Sequence, residues 1–279
     1  MFRRTLNSAV AFEGIGVHSG CGCRISVAPG DEGIVFVTED DVIPATFEAA
    51  RDTVMCTRLF GANGSCVSTT EHLAAALYGI GITDATIKVE NGEIPISDGS
   101  AREFVEAILA VGVAELSAKR PVLKVLKPVK VADGERRASL SPAEDSFSVN
   151  IECDFTAKGL KTEPLSFDFS KDDFITKIAP ARTFGFLSDA EFLRKNNLAV
   201  GTSLENTVVF DDAGRPLNKG GLRFPDEPVR HKILDVAGDL SLTGCRIIGR
   251  FDAFCPGHRM NNLLIRALFE EKSNFEIQK

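Results

Sequence analysis

Residues 23 to 37 carry β-branched side chains on both sides of Pro29-Gly30-Asp31-Glu32-Gly33, which predicts two short strands around a turn. From residue 70 to 80 the pattern switches to an alanine-rich helical run. Residues 84 to 90 alternate as a strand, and 101 to 111 follow the helical period again. That sequence of elements makes a complete α+β unit. The polar stretch Glu115 to Pro121 then breaks the pattern and reads as a connector. It sets the expected boundary between an N-terminal α+β domain, residues 1–117, and a C-terminal α+β domain, residues 118–279.

Beyond it, Val122 to Val131 and Arg137 to Cys153 read as strands with Asp133-Gly134 as a hairpin turn. A helix near 226 to 242, a strand at 246 to 251 and a last helix at 257 to 271 complete the order. The second half thus repeats the elements of the first, although no residue identities repeat. The fold class is α+β, with two similar domains of mainly antiparallel sheet plus helices. An insertion at about 185–209 interrupts the second domain as a small βαβ excursion. It spreads Phe186, Leu187, Phe192, Leu193, Leu198 and Val200 over a short helix and its flanks. Apolar clusters of this kind generally close into a satellite core under a loop.

The bulk composition narrows the function classes. Hydrophobic content of 44% with 25% charged residues is that of a soluble globular chain. A net charge of −7 opposes broad nucleic-acid binding, which uses a basic face to displace counterions. Seven scattered cysteines give no disulfide framework and point to a reducing cytoplasm. The opening Met1-Phe2-Arg3-Arg4-Thr5-Leu6 is not followed by an apolar secretory segment. No run of about 18 apolar residues is present, so membrane contact is at most peripheral.

Four histidines are all the chain has, and three stand near carboxylates. His72 follows Glu71; Ser68 and Glu71 also match the spacing of a helix capping box, the structural alternative for that glutamate. In the helix near 226 to 242, Asp226, Glu227 and Pro228 favour the start. At about 100° per residue His231, Asp235 and Asp239 lie within about 80° of one another, opposite Val229, Ile233, Val236 and Leu240. A solvated face would give the same stripe. However, His231 and Asp235 are four apart, a spacing at which two side chains grip one ion. With His72 they form a two-histidine, one-carboxylate set that suits zinc and that non-haem iron also accepts. Glu71 is then placed to act as a base. His258 opens the last helix, whose dipole alone would lower its pKa; Asp239 is the carboxylate expected to restore it. The Thr183 hydroxyl, in Ala181-Arg182-Thr183-Phe184-Gly185-Phe186, is a candidate for stabilising an oxyanion. Lys232 is a candidate phosphate contact, with a solvated lysine as the alternative.

These residues resemble a known family, the zinc-dependent UDP-3-O-acyl-N-acetylglucosamine deacetylases of lipid A biosynthesis. The resemblance runs along almost the whole chain. It includes Gly14-Ile15-Gly16-Val17-His18-Ser19-Gly20, Arg51-Asp52-Thr53, Thr70-Glu71-His72-Leu73, and Glu93-Ile94-Pro95-Ile96 with Asp98-Gly99-Ser100-Ala101. It continues through Ala181-Arg182-Thr183-Phe184-Gly185, Gly221-Leu222-Arg223-Phe224 and Arg230-His231-Lys232-x-x-Asp235-x-x-Gly238-Asp239-Leu240. It implies zinc on His72, His231 and Asp235, Glu71 as general base, His258 as general acid supported by Asp239, and Thr183 facing the oxyanion. It further implies Lys232 at the nucleotide diphosphate, and Phe184 and the insertion, Phe186 and Leu198 included, against sugar and acyl chain. The family's helices lie sandwiched between two outer sheets. The expected partner is an acylated UDP-sugar, met by a monomer. Gly201-Thr202 stands where the family more often has paired glycines, a departure that bears on the acyl passage. Rival readings are a non-catalytic binder of acylated sugar nucleotides and an amidase for another N-acyl amine.

Overall fold

The computed structural model of the chain describes residues 1–278. Its helices are α1 (Glu71–Ile80), α2 (Arg102–Val111), α3 (Phe174–Lys177), α4 (Ala190–Lys195), α5 (Glu227–Ser241) and α6 (His258–Glu270). A five-stranded sheet runs in the spatial order Val10–Ile15, Gly22–Pro29, Ala85–Glu90, Ile34–Val37, Val42–Pro44. Only the pair Ile34–Val37 and Ala85–Glu90 is parallel.

The second sheet repeats this plan. Its strand Arg246–Phe254 pairs antiparallel with Arg136–Ser141, which pairs with Val129–Asp133. It pairs parallel with Phe147–Glu152, which in turn pairs antiparallel with Leu165–Asp168. In each half a long helix immediately precedes the central strand, α1 or α5, and another follows it, α2 or α6. Each half also joins its first strand to its last, Phe2–Leu6 with Val113–Lys119 and Val122–Val125 with Phe275–Gln278, both antiparallel.

The expected polar connector is therefore corrected, because most of Glu115 to Pro121 belongs to the strand Val113–Lys119. That strand is a two-stranded ribbon with little burial, so its solvated side chains hide the strand pattern. Its partner lies at the opposite end of the first half. The hairpin expected at Asp133-Gly134 is present, with Asp133 paired to Arg136 across a two-residue loop.

Helices α1, α2, α5 and α6 lie between the two sheets. α2 packs on Val10–Ile15, α6 on Val129–Asp133 and Arg136–Ser141, and α5 on Phe147–Glu152, while α1 and α5 pack on each other. Phe36 and Phe104 from the first half and Phe147 and Phe251 from the second are fully buried in one continuous core. Burying side chains of that size is worth about 1.5–3 kcal/mol each. Helix α1 is buried on nearly every side, as its alanine-rich sequence allows. The approach of α1 to α5 is backbone-close: a Cβ on Gly238 would lie 2.1 Å from the Glu71 carbonyl oxygen. Leu73 and Leu77 of α1 and Ile233, Val236 and Leu240 of α5 are buried in the same core.

The insertion is a βαβ unit in which Phe184–Phe186 pairs parallel with Val208–Phe210 across α4. Its expected satellite core is only partly formed. Phe184 and Phe186 each meet both Phe155 and Phe210, but Phe192 is 64% exposed, Val200 59% and Leu187 51%. No helix is long and apolar enough to cross a membrane among the described residues.

Candidate metal and catalytic centre

Asp235 sits in the middle of α5 with both neighbours of the expected set around it. Its Oδ2 accepts a hydrogen bond from Lys232 Nζ at 2.8 Å. Its Oδ1 is buried and has no hydrogen-bond donor, yet it faces His231 Nε2 at 3.3 Å and His72 Nε2 at 4.0 Å. The two imidazole rings meet edge-on, 4.9 Å between centroids at 87°. One ligand atom from each of the three residues lies within 4.8 Å of the others.

A buried carboxylate oxygen without a donor is costly unless a positive charge satisfies it. The His231 Nδ1 is 3.0 Å from the Ala181 carbonyl oxygen, an acceptor, so Nδ1 carries the proton and Nε2 presents its lone pair. Burial, then the neighbouring His231, push the His72 pKa down to about 3; burial also lowers that of His231. Both rings are thus neutral donors. Burial would raise the Asp235 carboxyl, but Lys232, His231 and the other imidazoles outweigh it and hold the group below the usual carboxylate range. Donor types and the orphaned oxygen together fit a divalent cation held by His72, His231 and Asp235.

Glu71 and His258 flank these donors. Glu71 is the first residue of α1, and no side chain caps that helix. The capping-box alternative is therefore not realised: Glu71 Oε2 instead accepts the backbone N–H of Thr57 at 3.0 Å, and its Oε1 lies 3.6 Å from His258 Nε2. Burial pushes its pKa up to about 7. His258 is the first residue of α6. Burial works against its positive charge, but Asp239, Glu71 and Asp235 prevail and hold its pKa up at about 10. The expected rescue by Asp239 is direct, with His258 Nδ1 2.9 Å from Asp239 Oδ2. The polar stripe of α5 thus faces the protein interior, since His231, Asp235 and Asp239 are each about 2% exposed.

Lys232 is not a solvated lysine: beyond its bond to Asp235, its ammonium lies 5.5 Å from the Phe184 ring centroid. Phe184 also meets His231, at 6.4 Å between centroids. Thr183 is pinned by its backbone, donating to the Gly99 carbonyl at 2.7 Å and accepting from Val208 N–H at 2.8 Å. Buried Glu227 holds the preceding residue by accepting from the backbone and guanidinium of Arg182. Phe186 belongs to the aromatic group one step further out. Leu198 is half-buried beyond α4, where the following Val200 and Gly201 donate their backbone N–H groups to His18 and Val17 carbonyls.

Sequence reasoning missed Thr57 and Asn261. Thr57 Oγ1 donates to Asp239 Oδ1 at 2.6 Å, and Asn261 Nδ2 to Asp239 Oδ2 at 2.8 Å. Asn261 had a signal, since it stands three residues after His258 on the same helix. Thr57 had none, lying 182 residues from Asp239 in the chain.

An α+β chain that buries three metal-ligating side chains beside a glutamate–histidine pair has the constitution of a metal-dependent hydrolase. A family model described as UDP-3-O-acyl N-acetylglycosamine deacetylase matches residues 3–270. The chain is 45% identical, over 285 aligned positions, to the UDP-3-O-acyl-N-acetylglucosamine deacetylase of Shewanella oneidensis, covering 99% of this chain and 92% of that protein. The same figures hold for the proteins of that name from Shewanella baltica strains OS155 and OS185. The chain belongs to the UDP-3-O-acyl N-acetylglycosamine deacetylase family.

Proposed function

We propose that the chain is a zinc-dependent deacetylase that hydrolyses the N-acetyl group of UDP-3-O-acyl-N-acetylglucosamine, yielding UDP-3-O-acyl-glucosamine and acetate, the committed step of lipid A biosynthesis. The observation that carries this reading is the meeting of Glu71 and His258, 3.6 Å apart, beside the His72, His231 and Asp235 donors. A bound zinc ion, or iron in the cell, supplies Lewis acidity toward the amide carbonyl and makes water more acidic.

The protein's own groups do the proton work. Glu71, poised near neutrality, takes a proton from the attacking water as the new C–O bond forms. The Thr183 hydroxyl faces the developing oxyanion. The C–N bond then breaks while His258, kept cationic by Asp239, gives its Nε2 proton to the departing amine. Lys232 orients the diphosphate; Phe184, Phe186 and Leu198 meet the sugar and acyl chain. The reading extends to a division into domains 1–117 and 118–279, to a monomer working in the cytoplasm, and to no more than peripheral membrane contact.

The test is acetate release from an acylated UDP-N-acetylglucosamine before chelation, after it, and after zinc is returned. Release that is lost and then regained supports the proposal. Binding of the nucleotide without any acetate would support a binder instead, and equal activity on N-acyl amines lacking uridine would support a general amidase.

A further inference from the structure

Among the described residues, Thr57 is the one whose groups reach both sides of the acid–base pair. It lies between the strands Ala50–Asp52 and Arg58–Phe60 of a small three-stranded sheet in the first half and is only 2% exposed. Its N–H donates to Glu71 Oε2 at 3.0 Å, and its hydroxyl donates to Asp239 Oδ1 at 2.6 Å. Its carbonyl accepts from the Thr70 backbone N–H at 3.3 Å and from the Thr70 hydroxyl at 3.1 Å. All three of its polar groups are committed, and each tie ends either on the first turn of α1 or on the carboxylate that orients His258.

We propose that Thr57 is a positioning residue that sets the spacing between the Glu71 carboxylate and the His258 imidazole by clamping α1 to Asp239. The inference rests on the acid–base roles proposed above. The chemical argument follows from hydrogen-bond capacity. Asp239 accepts from three donors, the Thr57 hydroxyl on Oδ1 and Asn261 and His258 on Oδ2. Without the hydroxyl, Oδ1 loses the donor that fixes the carboxylate plane, and the plane determines where His258 Nδ1 points. Threonine suits this task better than serine alone would require, because its branched Cβ restricts χ1 and holds the hydroxyl in one direction. Proton transfer falls steeply with small displacements of the acid, which is why a group that never meets substrate can govern turnover.

Thr57→Val keeps the branched shape and the backbone N–H to Glu71 but deletes the hydroxyl. The expected result is a fall in kcat of about tenfold to a hundredfold, with KM and bound metal unchanged, and with Thr57→Ser recovering most of the loss. An independent readout is the downfield proton NMR signal of His258 Nδ1–H in the zinc-loaded protein, which should shift or broaden in Thr57→Val and return in Thr57→Ser. Valine and wild type with the same kcat and the same His258 signal overturn the inference, as does a valine variant that loses metal in proportion to activity. A wild-type protein that releases no acetate defeats the proposed function instead, and the His258 signal then still decides the clamp.

Discussion

Residues 2–119 and 122–278 share one topology but divide the chemistry unequally. Both halves run through five strands, an insertion, a helix, a central strand, a second helix and a closing strand. Of its helices, the first half brings just the first turn of the buried α1 to the site, with Glu71 and His72. The second uses two full turns of α5, from His231 to Asp239, and the opening residue of α6. The residue of α2 that occupies the place of His258 is Arg102, which pairs with Asp98. The repeated topology provides two sheets with helices between them, and the site lies where α1 packs on α5. Neither half alone holds all three candidate metal donors. The insertions matter as much as the repeats: the one in the first half carries Thr57, while the segment leading into the one in the second half carries the Ala181 carbonyl and Thr183.

The sharpest way to break this comparison is to remove one charge from each half. Glu71→Ala takes away the base of the first half, so kcat should fall by about 10²–10⁴-fold while metal content holds. Asp235→Ala removes a ligand of the second half, so metal affinity should fall by more than about 100-fold and activity with it. Metal analysis alongside kinetics separates them. Parallel loss of metal and activity in both variants would mean that the halves do not divide the work into base and ligand.

The pH profile tests the same division with smaller changes, about tenfold per pH unit on each limb. Glu71 must be deprotonated to act, so kcat/KM should rise with pH toward its pKa of about 7. His258 must be protonated to act, so the rate should fall as pH passes its pKa of about 10. A divalent cation nearby favours the deprotonated form of both, so each limb should lie at or below those values. Glu71→Ala should abolish the acidic limb and spare the alkaline one; a profile that stays level from pH 5 to 11 contradicts both assignments.

How much of this was legible in the sequence depended on the range of the interaction. The four long helices, α1, α2, α5 and α6, were readable to within a residue or two, because their apolar period is local, whereas the one-turn α3, Phe174–Lys177, was not expected at all. The His231, Asp235 and Asp239 stripe was equally readable, being fixed by one helix. The strand Val113–Lys119 was not, since its pairing partner begins at Phe2 and its side chains are largely solvated. The choice between a capping box and a free carboxylate at Glu71 could not be made locally either, because both share the same spacing until Thr57 appears beside it. Thr57 itself belongs to no period or spacing. Long-range hydrogen bonds of this kind become visible only once the two halves are docked.

Two glycines, one at the junction of the halves and one far from it, give the finest test. Gly238 has no unusual backbone angle, but an added Cβ would meet the Glu71 carbonyl oxygen at 2.1 Å and its carbonyl carbon at 2.8 Å. These are backbone atoms, so α1 must move away from α5. Gly238→Ala should lower stability by about 1–3 kcal/mol and displace Glu71 and His72 together, reducing both kcat and metal affinity. Gly134 is the reverse case. Its φ is +60° in the two-residue hairpin loop, and nothing lies within 4 Å of an added Cβ. Gly134→Ala should therefore cost only the left-handed penalty, about 1–2 kcal/mol, read as a lower midpoint in urea. Its kcat, KM and metal content should match wild type, because the strain stays in a turn at the outer end of Val129–Asp133. If Gly238→Ala proved as harmless to the site as Gly134→Ala, the close crossing of α1 over α5 could not be what brings the first half's two residues to the second half's ligands.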